Sequence, residues 1–120
     1  MKIKISTRIV FIFKKYVLKF PIDRRGFLQG KNEKMIWEKY QNCSKLCPLK
    51  WERFGIVCQE KCDPIEKNDF NLNTVLEIKN RIKEFQFKNC DLYNRKNWGM
   101  IQGNQVLCDY GINEKISKMY

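Results

Sequence analysis

A small α+β fold is what this sequence predicts, on three observations. The first half of the chain breaks into short runs of β-branched and aromatic side chains, which suit strands. Two longer stretches, one in each half, carry apolar residues at helical spacing. The chain has 120 residues, enough for one core and too few for two. A domain of this length buries roughly two-thirds of the surface its unfolded chain exposes, so it needs no covalent staples. The expected architecture is one domain over 1–120 with a small antiparallel sheet, two main helices and a late hairpin.

Residues 2–6, Lys-Ile-Lys-Ile-Ser, alternate polar and apolar as a half-buried strand does. Residues 8–13 and 16–20 follow as strands, with Lys14-Lys15 as the turn between them and Pro21 as the stop. Asp23-Arg24-Arg25-Gly26 reads as a polar turn. A helix is expected over about 30–42, with Ile36, Trp37 and Tyr40 on one face and Asn32 as its cap. Pro48 closes this region. Residues 51–58 read as two short strands hinged at Gly55, and 63–73 as a loop. A second helix is expected over 75–86. Thr74 and Glu77 suggest a capping box, and Val75, Ile78, Ile82 and Phe85 share a face. A hairpin follows: Met100-Ile101, a Gly103-Asn104 turn, then Val106-Leu107-Cys108. Residues 112–120 read as a short polar tail.

Net charge is +11, with the cations spread along the chain instead of gathered in an arm. Two readings follow: attraction to anionic partners such as nucleotide phosphates or nucleic acid, or an ordinary solvated lysine surface. The sequence contains no His, which excludes an imidazole base, a Ser-His-Asp triad and a Cys-His zinc finger. The apolar run 9–13 ends at Lys14-Lys15, too soon for a signal-peptide core or a membrane span. No membrane association and a cytoplasmic location are expected.

Six cysteines are present, and in a reducing compartment they are expected as free thiols. Cys43, Cys47, Cys58 and Cys62 form a twin Cys-x3-Cys pattern. It admits three readings: a four-thiolate Zn²⁺ site, a disulfide-linked helical hairpin, or thiols packed as small hydrophobes. Pro48, Gly55 and the strand-like 54–58 argue against the helical hairpin. Cys90 and Cys108 are expected to face the core.

The most specific signal lies in the last third. Asp91-Leu92 is followed by Asn97, a Gly-Asn turn and Asp109-Tyr110-Gly111, all behind an amphipathic helix. Upstream, Tyr16-Val17-Leu18-Lys19 precedes a helix bearing Glu33, and Gly55-Ile56-Val57-Cys58-Gln59-Glu60 runs into a loop. In this order, residues 9–111 resemble a truncated protein-kinase-like fold, similar to small kinase-like proteins of phage and mobile elements. The resemblance implies an N-lobe-like sheet plus helix over 1–62. A helix, a catalytic-loop-like segment and a hairpin would follow over 63–120, without the C-terminal helical substrate lobe. It implies ATP and Mg²⁺ as ligands, with Asp91 as catalytic base and Lys19 gripping phosphate while paired to Glu33. Gln59 and Glu60 would lie at the hinge beside the base, and Asn97 and Asp109 would hold metal. Phosphoryl transfer rests on such positioning and charge neutralisation more than on covalent chemistry.

Several residues depart from the family pattern. Ser6-Thr7-Arg8-Ile9 has no glycine where a Gly-rich loop would lie. Asn89-Cys90 replaces His-Arg before Asp91, Asn97 comes one residue late, and Tyr110 replaces Phe. The chain stops soon after Gly111, before any peptide-binding segment. The expected function is therefore a nucleotide- and Mg-binding, pseudokinase-type accessory protein, with phosphotransfer the reaction class if any is retained. The alternative is a non-enzymatic basic protein that binds nucleic acid or a host protein. Arg24-Arg25 with Phe27, and Arg95-Lys96 with Trp98, would supply phosphate contacts beside stacking rings. Trp37, Trp51 and Trp98 also read as core anchors.

Overall fold

Three antiparallel strands open the chain: β1 (Lys2–Ile5), β2 (Arg8–Ile12) and β3 (Tyr16–Pro21). The computed structural model describes residues 2–82 and 92–111. β1 pairs only with β2 and is exposed along its length, where the alternation had predicted a half-buried strand. Ile12 faces Val17 across the turn that holds Lys14-Lys15. Two later strands, β4 (Leu49–Arg53) and β5 (Ile56–Glu60), complete a five-stranded sheet in the order β1-β2-β3-β5-β4. The first helix connects β3 to the edge strand β4 and crosses the sheet, and β5 then returns to pair between those two strands.

That helix, α1 (Arg24–Tyr40), begins at Arg24 and not near residue 30. Asp23 is its cap, accepting the amides of Arg25 at 2.9 Å and Gly26 at 3.2 Å. The glycines that made this stretch read as a turn have a packing role instead. A Cβ on Gly30 would lie 2.3 Å from the carbonyl oxygen of Gly55, so glycine lets α1 press onto the β4–β5 turn. Asn32, the expected cap, lies inside the helix, where its amide donates to the Gly111 carbonyl at 2.8 Å.

The β4–β5 turn is two residues long, Phe54 and Gly55, both with positive φ. This is the turn whose twist matches paired strands. The Glu52 carboxylate accepts the Gly55 amide at 2.7 Å and lies 3.0 Å from Lys31 on α1.

The second helix, α2 (Leu72–Arg81), starts one turn's length or less from where its pattern suggested, but its cap is Asn71, not a Thr74–Glu77 box. Asn71 accepts the Asn73 amide at 2.9 Å, and Thr74 is buried. Val75, Ile78 and Ile82 are buried on one face as predicted; Phe85 lies outside the described residues. A two-stranded sheet, β6 (Trp98–Ile101) and β7 (Asn104–Leu107), forms the late hairpin. Its turn is Gln102–Gly103, one residue earlier than expected, with Ile101 facing Asn104.

Ile36, Leu46, Ile65, Val75, Ile78 and Leu107 belong to one apolar cluster between α1, α2 and this hairpin. Trp98 joins it, its indole N–H bonded to the Leu92 carbonyl at 2.7 Å, and Trp37 packs against it. Trp51 is 43% exposed, against expectation. It faces Cys58 across the β4–β5 ladder, whereas Glu52 faces Val57, so strand alternation turns Trp51 away from α1. No described helix is long and apolar enough to cross a membrane.

Candidate functional site

Four charged side chains meet where β2, β3, α1 and the segment after β7 converge. Lys19 on β3 is 4% exposed. Its Nζ lies 3.1 Å from Glu33 Oε2, 3.0 Å from Asp109 Oδ1 and 3.1 Å from the Cys108 carbonyl. Glu33, fully buried on α1, gives its other oxygen to the Arg8 guanidinium. Arg8 Nη2 also approaches Asp109 Oδ1 at 3.5 Å. Two cations and two carboxylates thus neutralise one another in the interior, the condition under which buried charge is tolerated.

Helical spacing explains how α1 reaches this place. Gln29, Asn32, Glu33 and Ile36 are its buried stripe, at i, i+3, i+4 and i+7. Three of the four are polar, and each polar one has a partner: Gln29 accepts from Thr7 Oγ1 at 3.0 Å, Asn32 donates to Gly111, and Glu33 takes the two cations.

Burial works against the Lys19 ammonium, but Asp109 and Glu33 outweigh it and raise its pKa. Asp109 is lowered: enclosure opposes its charge, and Lys19 and Arg8 overcome that opposition. The Asp109 side chain is still 45% exposed, because it faces a cavity of about 700 Å³. Lys4, Lys14, Lys61, Arg95 and Lys96 line this cavity together with Lys19, against the carboxylates of Glu60, Asp63 and Asp109. An anionic ligand suits such walls.

The other expected site residues lie as follows. Gln59 and Glu60 both line the cavity, but Gln59 is buried and its amide donates to the Cys108 carbonyl at 3.0 Å. The Asn97 backbone meets that of Asp109: its carbonyl accepts the Cys108 amide at 2.8 Å and the Asp109 amide at 3.3 Å. Asp91, the expected base, lies outside the described residues. Sequence reasoning missed Arg8, whose only signal was a lone arginine opening an apolar strand.

The cysteines gather differently from the twin pattern. Cys47 and Cys62 do meet, with sulfurs 3.2 Å apart, and the third member is Cys108, 2.8 Å from Cys62. These three sulfurs lie within 4.8 Å of one another, close enough to hold a metal ion. Cys43 sits instead in the apolar cluster. Cys58 pairs with Leu18 on β3, and alternation turns it to the sheet face opposite Val57 and Lys19. Contacts with Cys108 and Cys47 hold the Cys62 thiol down to about 4. The Cys108 thiol is pushed up by its contacts with Cys47 and Cys62. For Cys47, the Cys108 contact acts downward, but Cys62 and burial prevail and raise it. All five cysteines among the described residues are free of disulfides.

Of the aromatic and basic pairs, Trp98 has its ring inside the core, so Arg95-Lys96 have no stacking surface there. Arg25 is held by Asp23 at 2.7 Å, and Phe27 packs over Gly55. Comparison with protein-family models, with curated proteins and with solved structures finds no match to this chain.

Proposed function

We propose that this chain is a minimal kinase-like protein that binds a nucleoside triphosphate with Mg²⁺ in the cavity beside Lys19, as an accessory or pseudokinase-type protein. One observation carries the reading: Lys19 is held between Glu33 and Asp109 at the wall of a basic cavity of about 700 Å³. That volume falls in the range of small-molecule and cofactor sites, roughly 300–1,000 Å³. Of the expected metal ligands, Asp109 lines the cavity and supports the reading. Mg²⁺ is commonly held by one or two carboxylates plus substrate phosphates, and Asp109 is the partly exposed carboxylate next to Asn97. Lys19 would stay charged and face the phosphates, while Glu33, itself held by Arg8, fixes its position. The remaining lysines and arginine of the wall would attract the polyphosphate. The kinase-like order of elements, a five-stranded sheet crossed by a helix and followed by a helix and hairpin, supports the same reading. Ser6–Ile9 lacks glycine, so the phosphates would lack the cover of a Gly-rich loop; binding is therefore favoured over phosphotransfer.

Thermal unfolding with and without ATP and Mg²⁺ tests the reading. Stabilisation that needs both and disappears in Asp109→Ala is expected. No stabilisation, together with salt-sensitive binding to DNA or RNA, would replace it with the nucleic-acid alternative.

A further inference from the structure

We propose that Cys47, Cys62 and Cys108 form a zinc site, three thiolates on one ion with its fourth position open to the cavity. The inference does not depend on the nucleotide reading. It begins from an unusual convergence. The three residues come from the segment before β4, the segment after β5 and the residue after β7, yet their sulfurs lie 2.8 and 3.2 Å apart at the two closest contacts.

The backbone, not the thiols, brings them together. The Cys47 amide donates to the Leu107 carbonyl at 2.9 Å, and the Leu107 amide donates to the Lys45 carbonyl at 2.8 Å. Beside Cys62, Asp63 and Met100 exchange two amide bonds at 2.9 and 2.8 Å. The Cys108 amide is held by Asn97. Each cysteine is thus anchored next to a main-chain tether, so little ordering entropy remains to be lost when an ion binds. Gly99 belongs to the same design. A Cβ there would lie 2.3 Å from Cys62 Cβ and 3.2 Å from Cys108 Sγ, so any side chain would occupy the space the sulfurs need.

The chemistry of the donors selects the ion. Thiolates suit Zn²⁺, at a Zn–S distance of about 2.3 Å, which places sulfurs on a tetrahedron about 3.8 Å apart. The sulfurs must spread by up to about 1 Å from their present positions, a displacement within reach of small χ1 rotations. Binding releases to solvent the protons still held by the thiols, leaving three thiolates and Zn²⁺ with one net negative charge. Lys19 stands beside this charge, bonded to the Cys108 carbonyl. Cys62 and Cys108 both line the cavity, which gives the ion an entry path and gives the fourth position a water or an anion. One ion would then tie the sheet to the β6–β7 hairpin.

The experiment loads the full reduced chain with zinc and measures bound metal after a competing chelator. About one zinc per chain is expected. In Cys62→Ser and Cys108→Ser the affinity is expected to fall by well over about tenfold, the smallest loss that outer-shell changes alone cause. Cys43→Ser and Cys58→Ser should keep the ion. If the first two variants fail to fold, alkylation of the wild-type chain decides. Zinc should slow labelling of Cys62 and Cys108, and a chelator should restore it. The proposal is overturned by no zinc uptake, by zinc that persists in Cys108→Ser, or by a Cys62–Cys108 disulfide in protein kept under reductant.

Discussion

Lys19 Nζ lies 3.1 Å from Glu33 Oε2, joining a sheet strand to the helix that crosses it. Glu33 also takes Arg8, so it is the one fully buried carboxylate that both cations share. Its loss should be worse than the loss of either cation. Glu33→Ala leaves Arg8 and Lys19 with only the partly exposed Asp109 between them, and removing one member of a buried pair costs about 3–5 kcal/mol. Lys19→Met leaves the Arg8–Glu33 pair in place and fills a similar volume. Chemical denaturation should place Glu33→Ala well below Lys19→Met in stability. Equal stabilities would show that the network does not carry the interior.

Nucleotide binding has its own signature in the same cluster. A ligand at a hundredfold excess over its Kd stabilises the fold by about 2.7 kcal/mol. Asp109→Ala removes a partly exposed carboxylate and leaves Glu33 with both cations, so the variant should fold and lose the Mg-dependent part of that stabilisation. Raising salt should weaken the nucleotide in the wild type, because solvent-accessible cations line the cavity. Calorimetric titration at two salt concentrations checks both. Mg-independent binding of equal strength in the two proteins would remove Asp109 from the site.

Much of the sheet was legible because its strands are short runs of β-branched and aromatic residues set off by local breaks at Lys14-Lys15, Pro21 and Gly55. The helix face of Val75, Ile78 and Ile82 was legible for the same local reason. The start of α1 was not, since Gly26 and Gly30 carry the composition of a turn and their use is to let backbones touch. The exposure of Trp51 needed the β4–β5 register, which no single strand reveals. Cys108 joins Cys47 and Cys62 only through main-chain bonds between distant segments, so sequence spacing paired Cys47 and Cys62 with the wrong companions. Lys19 and Glu33 were reached through the resemblance alone, because neither residue is unusual in its local run.

Glu52 should couple the β4–β5 turn to pH. Burial raises its pKa, but the Gly55 amide and Lys31 outweigh that and leave it below the usual carboxylate range. A carboxyl depressed by folding contributes stability that is complete above its unfolded value, about 4.3. The contribution is lost as pH falls through the lower folded value. Glu52→Gln should therefore be less stable than the wild type at neutral pH, by about 1.5–3 kcal/mol if the charged hydrogen bond is lost. The gap should close in acid. A gap that stays constant from neutral pH to below the folded value would mean that shape, and not charge, is what Glu52 supplies.

Gly30→Ala sets two known effects against each other. On helix propensity alone, alanine inside α1 should gain about 1 kcal/mol over glycine. The new Cβ, however, would lie 2.3 Å from the Gly55 carbonyl oxygen and 2.9 Å from its carbon. Both are main-chain atoms of a tight turn, so no flexible side chain can yield. The helix or the turn must move, and overpacking of this kind costs about 1–3 kcal/mol. Movement of the turn also disturbs the bond between Glu52 and the Gly55 amide, 2.7 Å long in the native contact. The two sites should therefore couple: Gly30→Ala and Glu52→Gln together should destabilise by less than the sum of the single changes, because each breaks part of what the other needs. Denaturant midpoints of the two single variants and the double variant measure the coupling. A Gly30→Ala protein at least as stable as the wild type would mean that α1 does not press on the turn, and that propensity governs this position.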